Sequence, residues 1–311
     1  GVKPGDEVII PPLTFVATAN SISHLGAYPH FVDIEKNKLS LSPLELNKRL
    51  EKVAFKKGKE VFNIRTGRRI SAILPVHLFG IPADISGIKK IAEFWGLPIV
   101  EDAAEAIGSR HYEKENKYRH CGLIGDLGVI SFNGNKLITT GGGGVIITNN
   151  EYLAVKCKHL STTARRNHKW EFDHDEIGWN DRMPNINAAL GVAQLEVIHA
   201  KIERKRKLLD KYIKYLSHIK DIEIINEESR NIKNNWLINL KYKSKDINEV
   251  NLNKKELLER AYAEGIFLRP AWKLLHKLDF YKDHQRSNLN IAEDQASRIV
   301  SLPSSDSLIF D

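Results

Sequence analysis

The first 150 residues alternate between short apolar runs and amphipathic segments, and this alternation restricts the fold more than any other feature of the chain. "DEVIIPP", "PHFVDI", "RISAILPVHLF" and "PIVEDA" read as strands. Between them, "TFVATANSISHLG", "SPLELNKRLEKV" and "DISGIKKIAEFWG" read as helices. Ser42 stands as an N-cap before Pro43, and Gly26 and Gly96 close two of the helices. Strands joined through helices pair in parallel by right-handed crossovers. Several runs are apolar throughout, as strands are when helices cover both faces of a sheet. The expected fold class is α/β, with a mostly parallel central sheet flanked by helices.

After residue 150 the pattern changes. "KHLSTTARRNHKWEFDHDEIGWNDRM" is polar and aromatic and reads as one long loop, with Trp170, Phe172 and Trp179 arguing for order. "NINAALGVAQLEVIHAKIERKRKLLDKYIKYL" reads as one long helix or two end to end. From about Asp221 a smaller α+β unit follows. The expected division is a large α/β domain over residues 1–195, then a linking helix and small α+β domain over 196–311. Because the chain opens at Gly1 on a turn that leads into a strand, its natural N-terminus is expected to lie upstream.

Composition excludes several classes. No apolar run approaches the ~20 residues that span a bilayer. Cys121 and Cys157 are too few for a disulfide framework and lack metal-type spacing, so a reduced, cytoplasmic setting without a metal centre is expected. The net charge of +8 suits an anionic, nucleotide-linked substrate. Basic runs such as "AKIERKRKLLDKYIKY" alternate with apolar residues at helical spacing and read first as solvated faces. No nucleic-acid-binding signature accompanies them.

In parallel sheets ligands collect at the carboxyl ends of the strands. Those ends carry "PPLTF", "PVHLFG", "EDAAEA" and "SFNGNK", which would converge on one rim. Lys136 follows an apolar strand and precedes four glycines, either as a solvated hairpin tip or as a lysine beside something bound. A lysine amine can join a carbonyl compound as a Schiff base. In pyridoxal phosphate enzymes a carboxylate also keeps the pyridine nitrogen protonated. Asp102 is placed for that role, or for a helix N-cap. Ser131 could hold a phosphate and Phe15 could stack on a ring, although Phe15 could equally be a core aromatic. His77 could shape the pocket or be a satisfied core histidine. Arg269, His276, His168 and Lys169 could each hold a diphosphate or sugar or be purely structural.

Together these stretches resemble the DegT/DnrJ/EryC1/StrS sugar aminotransferases, pyridoxal 5′-phosphate-dependent transferases of the aspartate aminotransferase fold type I. The matching segments include "GVKPGDEVIIPPLTFVATANSISHLGAYPHFVDI", "PIVEDAAEAIGS", "GDLGVISFNGNKLITTGGGGVIIT", "HDEIGWNDRMPNINAALGVAQLE", "NNWLINL" and "LRPAWKLLHKL", in family order over nearly the whole chain. In detail the chain is most similar to the branch that aminates C4 of UDP-linked 4-keto-6-deoxy-N-acetylhexosamines, of the legionaminic acid and bacillosamine type.

The resemblance implies that Lys136 is the Schiff-base residue, Asp102 meets the pyridine nitrogen, Glu105 faces the ring hydroxyl, Phe15 stacks on the ring and Ser131 binds the phosphate. It implies that Asn180 reaches the cofactor phosphate of a neighbouring subunit, in a homodimer that shares its active sites. The amino donor is expected to be glutamate. Two departures stand out: Glu105 replaces the usual Gln or His, and Gly142 replaces a common Glu. The family's Gly-Ser/Thr phosphate clamp is expected upstream of Gly1, and a terminal helix beyond residue 311. The alternatives are amino transfer to C3, a dehydratase on the same scaffold, whose histidine at the lysine position is not found here, and a regulator that retains the fold.

Overall fold

The structure, a computed structural model, describes residues 1–226 and 230–309. The N-terminal part contains β1 (Glu7–Ile10), α1 (Ala17–His24), β2 (Tyr28–Phe31), α2 (Pro43–Val53), β3 (Ala54–Lys57), β4 (Glu60–Asn63), β5 (Arg69–Ile73), α3 (Ile85–Trp95) and β6 (Val100–Asp102). β7 (Arg110–Tyr112), β8 (Tyr118–His120), β9 (Leu127–Ser131), β10 (Gly144–Ile147) and α4 (Glu151–Ser161) follow.

β2, β1 and β5 pair in parallel, as do β6 and β9, and β10 closes the edge antiparallel to β9. Parallel bridges at Ile73–Ile99 and Val76–Asp102 join the two groups into one continuous sheet. The expected mostly parallel sheet is therefore present. Alternation along β1 shows how it is buried. Ile9 packs under α2 and α3 with Leu46, Leu50, Ile85 and Ile88. Val8 and Ile10 face the other layer, with Ala19 and Ile22 of α1. Ser42 caps α2 through the Glu45 N–H, and Gly96 ends α3 in the left-handed conformation.

The β3–β4 and β7–β8 hairpins are not anticipated from sequence, since "AFKKGKEVFN" and "RHYEKENKYRH" are too charged to read as strands. The predicted single loop after residue 150 starts later: α4 takes in its first residues, and irregular chain runs from Thr162 to Pro184. The long helix is two helices end to end, α5 (Asn185–Glu196) and α6 (Ile198–Leu216).

Beyond them lie β11 (Ile222–Ile224), β12 (Asn239–Tyr242), α7 (Ile247–Ala263), β13 (Arg269–Pro270), α8 (Asn290–Arg298) and β14 (Ile299–Ser301). β11, β12, β14 and β13 form an antiparallel sheet in that order. α7 and α6 cover it through a core that includes Leu208, Leu240, Val250 and Val300. The C-terminal stretch does not stay with this sheet. The Phe31 N–H donates to the Gln285 carbonyl, and Leu275, Tyr281 and Leu289 pack in the layer of α1. No helix among the described residues is long and apolar enough to cross a membrane.

Candidate active site

The carboxyl ends of β6 and β9, the start of α1 and the segment around β13 enclose a cavity of about 980 Å³. Five of the predicted residues line it: Phe15, Asp102, Ser131, Lys136 and Arg269. Lys136 sits in the turn between β9 and β10, and its Nζ lies 3.6 Å from Glu105 Oε1. The same Nζ stands 4.0 Å from the centre of the Trp236 ring. A carboxyl group and an indole face thus hold the amine at the cavity wall.

Asp102 ends β6, and its two oxygens are fixed separately. Thr18 Oγ1 donates to Oδ2 at 2.8 Å, and the Ala104 N–H donates to Oδ1 at 3.1 Å. Thr18 is itself bonded to Thr14, one helical turn earlier. Its neighbour Glu101 has the opposite fate, because successive strand residues face opposite sides. Glu101 is fully buried and accepts hydrogen bonds from the Gly122, Ile124 and Gly125 N–H groups. Burial alone would push its carboxyl up, but His77 and these amides hold it below the ordinary range.

The His77 ring lies in that buried network, not on the cavity. Nε2 is 2.8 Å from Glu101 Oε2, and Nδ1 accepts from the Ala83 N–H. Of the two readings open in the sequence, the structure takes the satisfied core histidine. His276 is also buried away from the cavity, bonded to Glu293 and against the Phe31 ring. His168 and Lys169 lie on the exposed 162–184 segment, where His168 Nδ1 accepts from the Glu171 N–H. Asn180 is on the same segment, bridged to Thr162. None of these five side chains reaches the cavity of its own chain.

Glu105 lies just behind the wall. It is 5% exposed, and the Phe79 N–H donates to its Oε2 at 2.7 Å. Burial pushes its carboxyl up to about 7, with the Lys136 ammonium pulling the other way. That contact needs an unusual backbone: Phe79 has φ of 58° and Gly80 of 86°. A Cβ on Gly80 would come within 1.8 Å of Asn234 Oδ1, so only glycine fits. Asn234 explains the crowding. Its amide donates to the Glu105 and Ile107 carbonyls, and its Oδ1 accepts from the Trp236 N–H. The "NNW" motif therefore places the indole under Lys136. Buried Lys205 of α6 holds the same segment, donating to the Trp236 carbonyl at 2.7 Å and to that of Ser304.

Thr18, Phe79, Trp236 and Trp272 also line the cavity and carry no site role in the sequence reading. Trp272 stacks on Phe79 at 5.5 Å and meets Phe15 at 5.9 Å. The sequence signal for Thr18 is its i, i+4 spacing from Thr14. The two tryptophans gain significance only through folding.

The family model for the "DegT/DnrJ/EryC1/StrS aminotransferase family" matches residues 1–310. The chain belongs to this family. A Bacillus subtilis protein whose name marks it as a candidate pyridoxal phosphate-dependent aminotransferase is 33% identical over the whole of this chain and 75% of its own. GDP-perosamine synthase of Escherichia coli O157:H7 is also 33% identical, over 99% of this chain and 76% of that one. The crystal structure of a DegT DnrJ EryC1 StrS aminotransferase from Brucella abortus matches with a TM-score of 0.84 at 28% identity, over 99% of this chain and 77% of that one. The protein is thus a pyridoxal-phosphate-dependent sugar aminotransferase. The aminotransferase's own residues suit that cofactor: an amine, a carboxylate, a hydroxyl and an exposed aromatic ring border one cavity.

Proposed function

We propose that this aminotransferase moves an amino group from glutamate to the C4 keto carbon of a UDP-linked 4-keto-6-deoxy sugar, for building surface glycans. The observation that carries the reading is the meeting of Lys136, Asp102 and Arg269 on one cavity. Phe267, Arg269 and Lys273 line the same cavity, and cations suit an anionic diphosphate. A second reading has a specific support: the 33%-identical E. coli relative is named a GDP-perosamine synthase, which favours a GDP-linked acceptor.

When bound, pyridoxal phosphate supplies a carbonyl that carries nitrogen and a ring that withdraws electrons. In this reading Lys136 would hold the carbonyl, and its amine, once released, would serve as general base and acid, taking the proton from the donor's α-carbon and passing it on to the cofactor. Asp102, oriented by Thr18, would keep a proton on the ring nitrogen. Phe15 would pack on the ring, and Ser131 would bind the phosphate. Glu105, against Lys136, would face the ring hydroxyl.

The active site is proposed to be completed in a homodimer, with Asn180 contributed by the second subunit. Supporting this, the 162–184 segment and α5 expose Phe172, Ile177, Trp179 and Ile186.

The test is product analysis by mass and NMR across UDP-, GDP- and dTDP-linked 4-keto and 3-keto sugars with glutamate. A 4-amino product from the UDP substrate is expected. Preferred turnover of a GDP substrate would establish the second reading, and a 3-amino or dehydrated product would reject both.

A further inference from the structure

A second cavity, of about 540 Å³, opens beside α2 and shares no lining residue with the catalytic one. α2 contributes Lys48, Arg49 and Lys52; Arg65 comes from the turn after β4 and Arg286 from the C-terminal stretch. One carboxylate lines it, Glu45, and Lys48 already holds this group at 2.7 Å. Among the described residues, Arg49, Lys52, Arg65 and Arg286 have no carboxylate within salt-bridge distance.

Arg49 shows that this is more than a solvated basic face. It is only 6% exposed. Nε donates to His30 Nε2 at 2.8 Å and Nη2 to Gln285 Oε1 at 3.3 Å. Nη1 has no partner among the described residues and belongs to a side chain on the cavity wall. The guanidinium is thus largely buried and oriented by two neutral acceptors, and the carboxylate that favours its charge, Glu7, lies behind the His30 ring and not on the cavity. Its burial and the Arg65 charge work against its cationic form, and the Glu7 charge works for it. Glu7 offsets one of these charges from behind the wall, so Lys52, Arg65 and Arg286, which meet no carboxylate on the cavity, leave an excess of positive charge that an anion would compensate.

We propose that this cavity binds a small molecule bearing two or more phosphate groups, such as a diphosphate or nucleoside diphosphate. One phosphate could engage Arg49 and Arg65 through the fork geometry of guanidinium groups, leaving Lys52 and Arg286 for a second. A monovalent ion would leave most of the charge uncompensated. The volume lies within the range of small-ligand pockets, roughly 300–1,000 Å³. The site is remote from the chemistry. Arg65 precedes β5 and Arg49 meets His30 beside Glu7, the first residue of β1, whereas Lys136 and Asp102 lie at the carboxyl ends of strands.

Calorimetric titration of the cofactor-loaded protein with pyrophosphate, at low and moderate salt, tests the proposal. The Lys52→Ala/Arg65→Ala double variant removes two exposed side chains. It should keep the cofactor absorbance and bind pyrophosphate at least tenfold more weakly. Arg269→Ala, in the catalytic cavity, should leave this binding unchanged. The proposal is overturned if the wild type does not bind pyrophosphate, if the double variant binds it normally, or if only Arg269→Ala weakens it. It is also overturned if the double variant loses binding to anionic lipid vesicles or heparin while pyrophosphate binding is untouched.

Discussion

Two stretches of this chain treat their apolar residues in opposite ways. In the sheet of residues 1–131, β1 is buried along its whole length, and Ile9, Leu46, Ile73 and Ile85 are completely enclosed. In residues 151–197, α4 buries no residue and α5 buries only Gly191. Ile186 is 86% exposed and Ile177 is 93% exposed. The first stretch is satisfied by its own chain. The second sets exposed apolar residues among polar ones, is ordered by its own hydrogen bonds and leaves those residues uncovered, which is the condition of an interface awaiting a partner. Substrate chemistry therefore sits between a wall this chain completes and a surface that the proposed second subunit would complete.

The contrast can be broken most strongly at α5. Ile186→Asp with Val192→Asp should weaken the proposed dimer by about 10²–10⁴-fold, since each apolar side chain buried contributes about 1.5–3 kcal/mol. Sedimentation at graded concentrations would measure it. An unchanged association constant would move the interface elsewhere. In the self-satisfied region, Glu101→Ala should cost about 3–5 kcal/mol in urea unfolding, because it strands His77 and three amide donors. A loss below 1 kcal/mol would mean that this network is not structural.

The cavity wall offers a finer test through pH. Glu105 in the folded protein is pushed up to about 7, from an ordinary value of 4.5. The folded state therefore holds this proton longer than the unfolded chain. Its contribution is fully present below pH 4.5 and declines as pH rises to 7, by about 3 kcal/mol at most. Glu105→Gln should flatten that decline in cofactor-free protein; an identical pH profile would refute the shift. The smallest effect is expected on α2: Leu44→Ala, at an exposed site, should change stability by less than about 0.5 kcal/mol.

Much of the large sheet was legible because strand and helix periods, the Ser42 cap and the Gly96 terminus all agree locally. Lys136 and Asp102 were legible because strand ends in parallel sheets define a rim, and folding brings both to one cavity. The histidines were not. His77 and His276 look like polar groups free to act, but Glu101 and Glu293, distant in sequence, bind them in the interior. Trp236 and Trp272 were invisible as site residues for the converse reason. Asn234 and the left-handed Phe79–Gly80 backbone, which no local pattern announces, bring them against the cavity. The hairpin of β3 and β4 was hidden by lysines on an edge, where charge is expected to discourage further pairing.

The central claim is that Lys136, among all the lysines of the chain, is the one that joins the cofactor. Incubation with pyridoxal phosphate, borohydride reduction and peptide mapping by mass spectrometry tests it directly. The account predicts a pyridoxyl group on the peptide containing Lys136, and its loss in Lys136→Ala. Stoichiometric labelling of another lysine, with Lys136 unmodified, would contradict it.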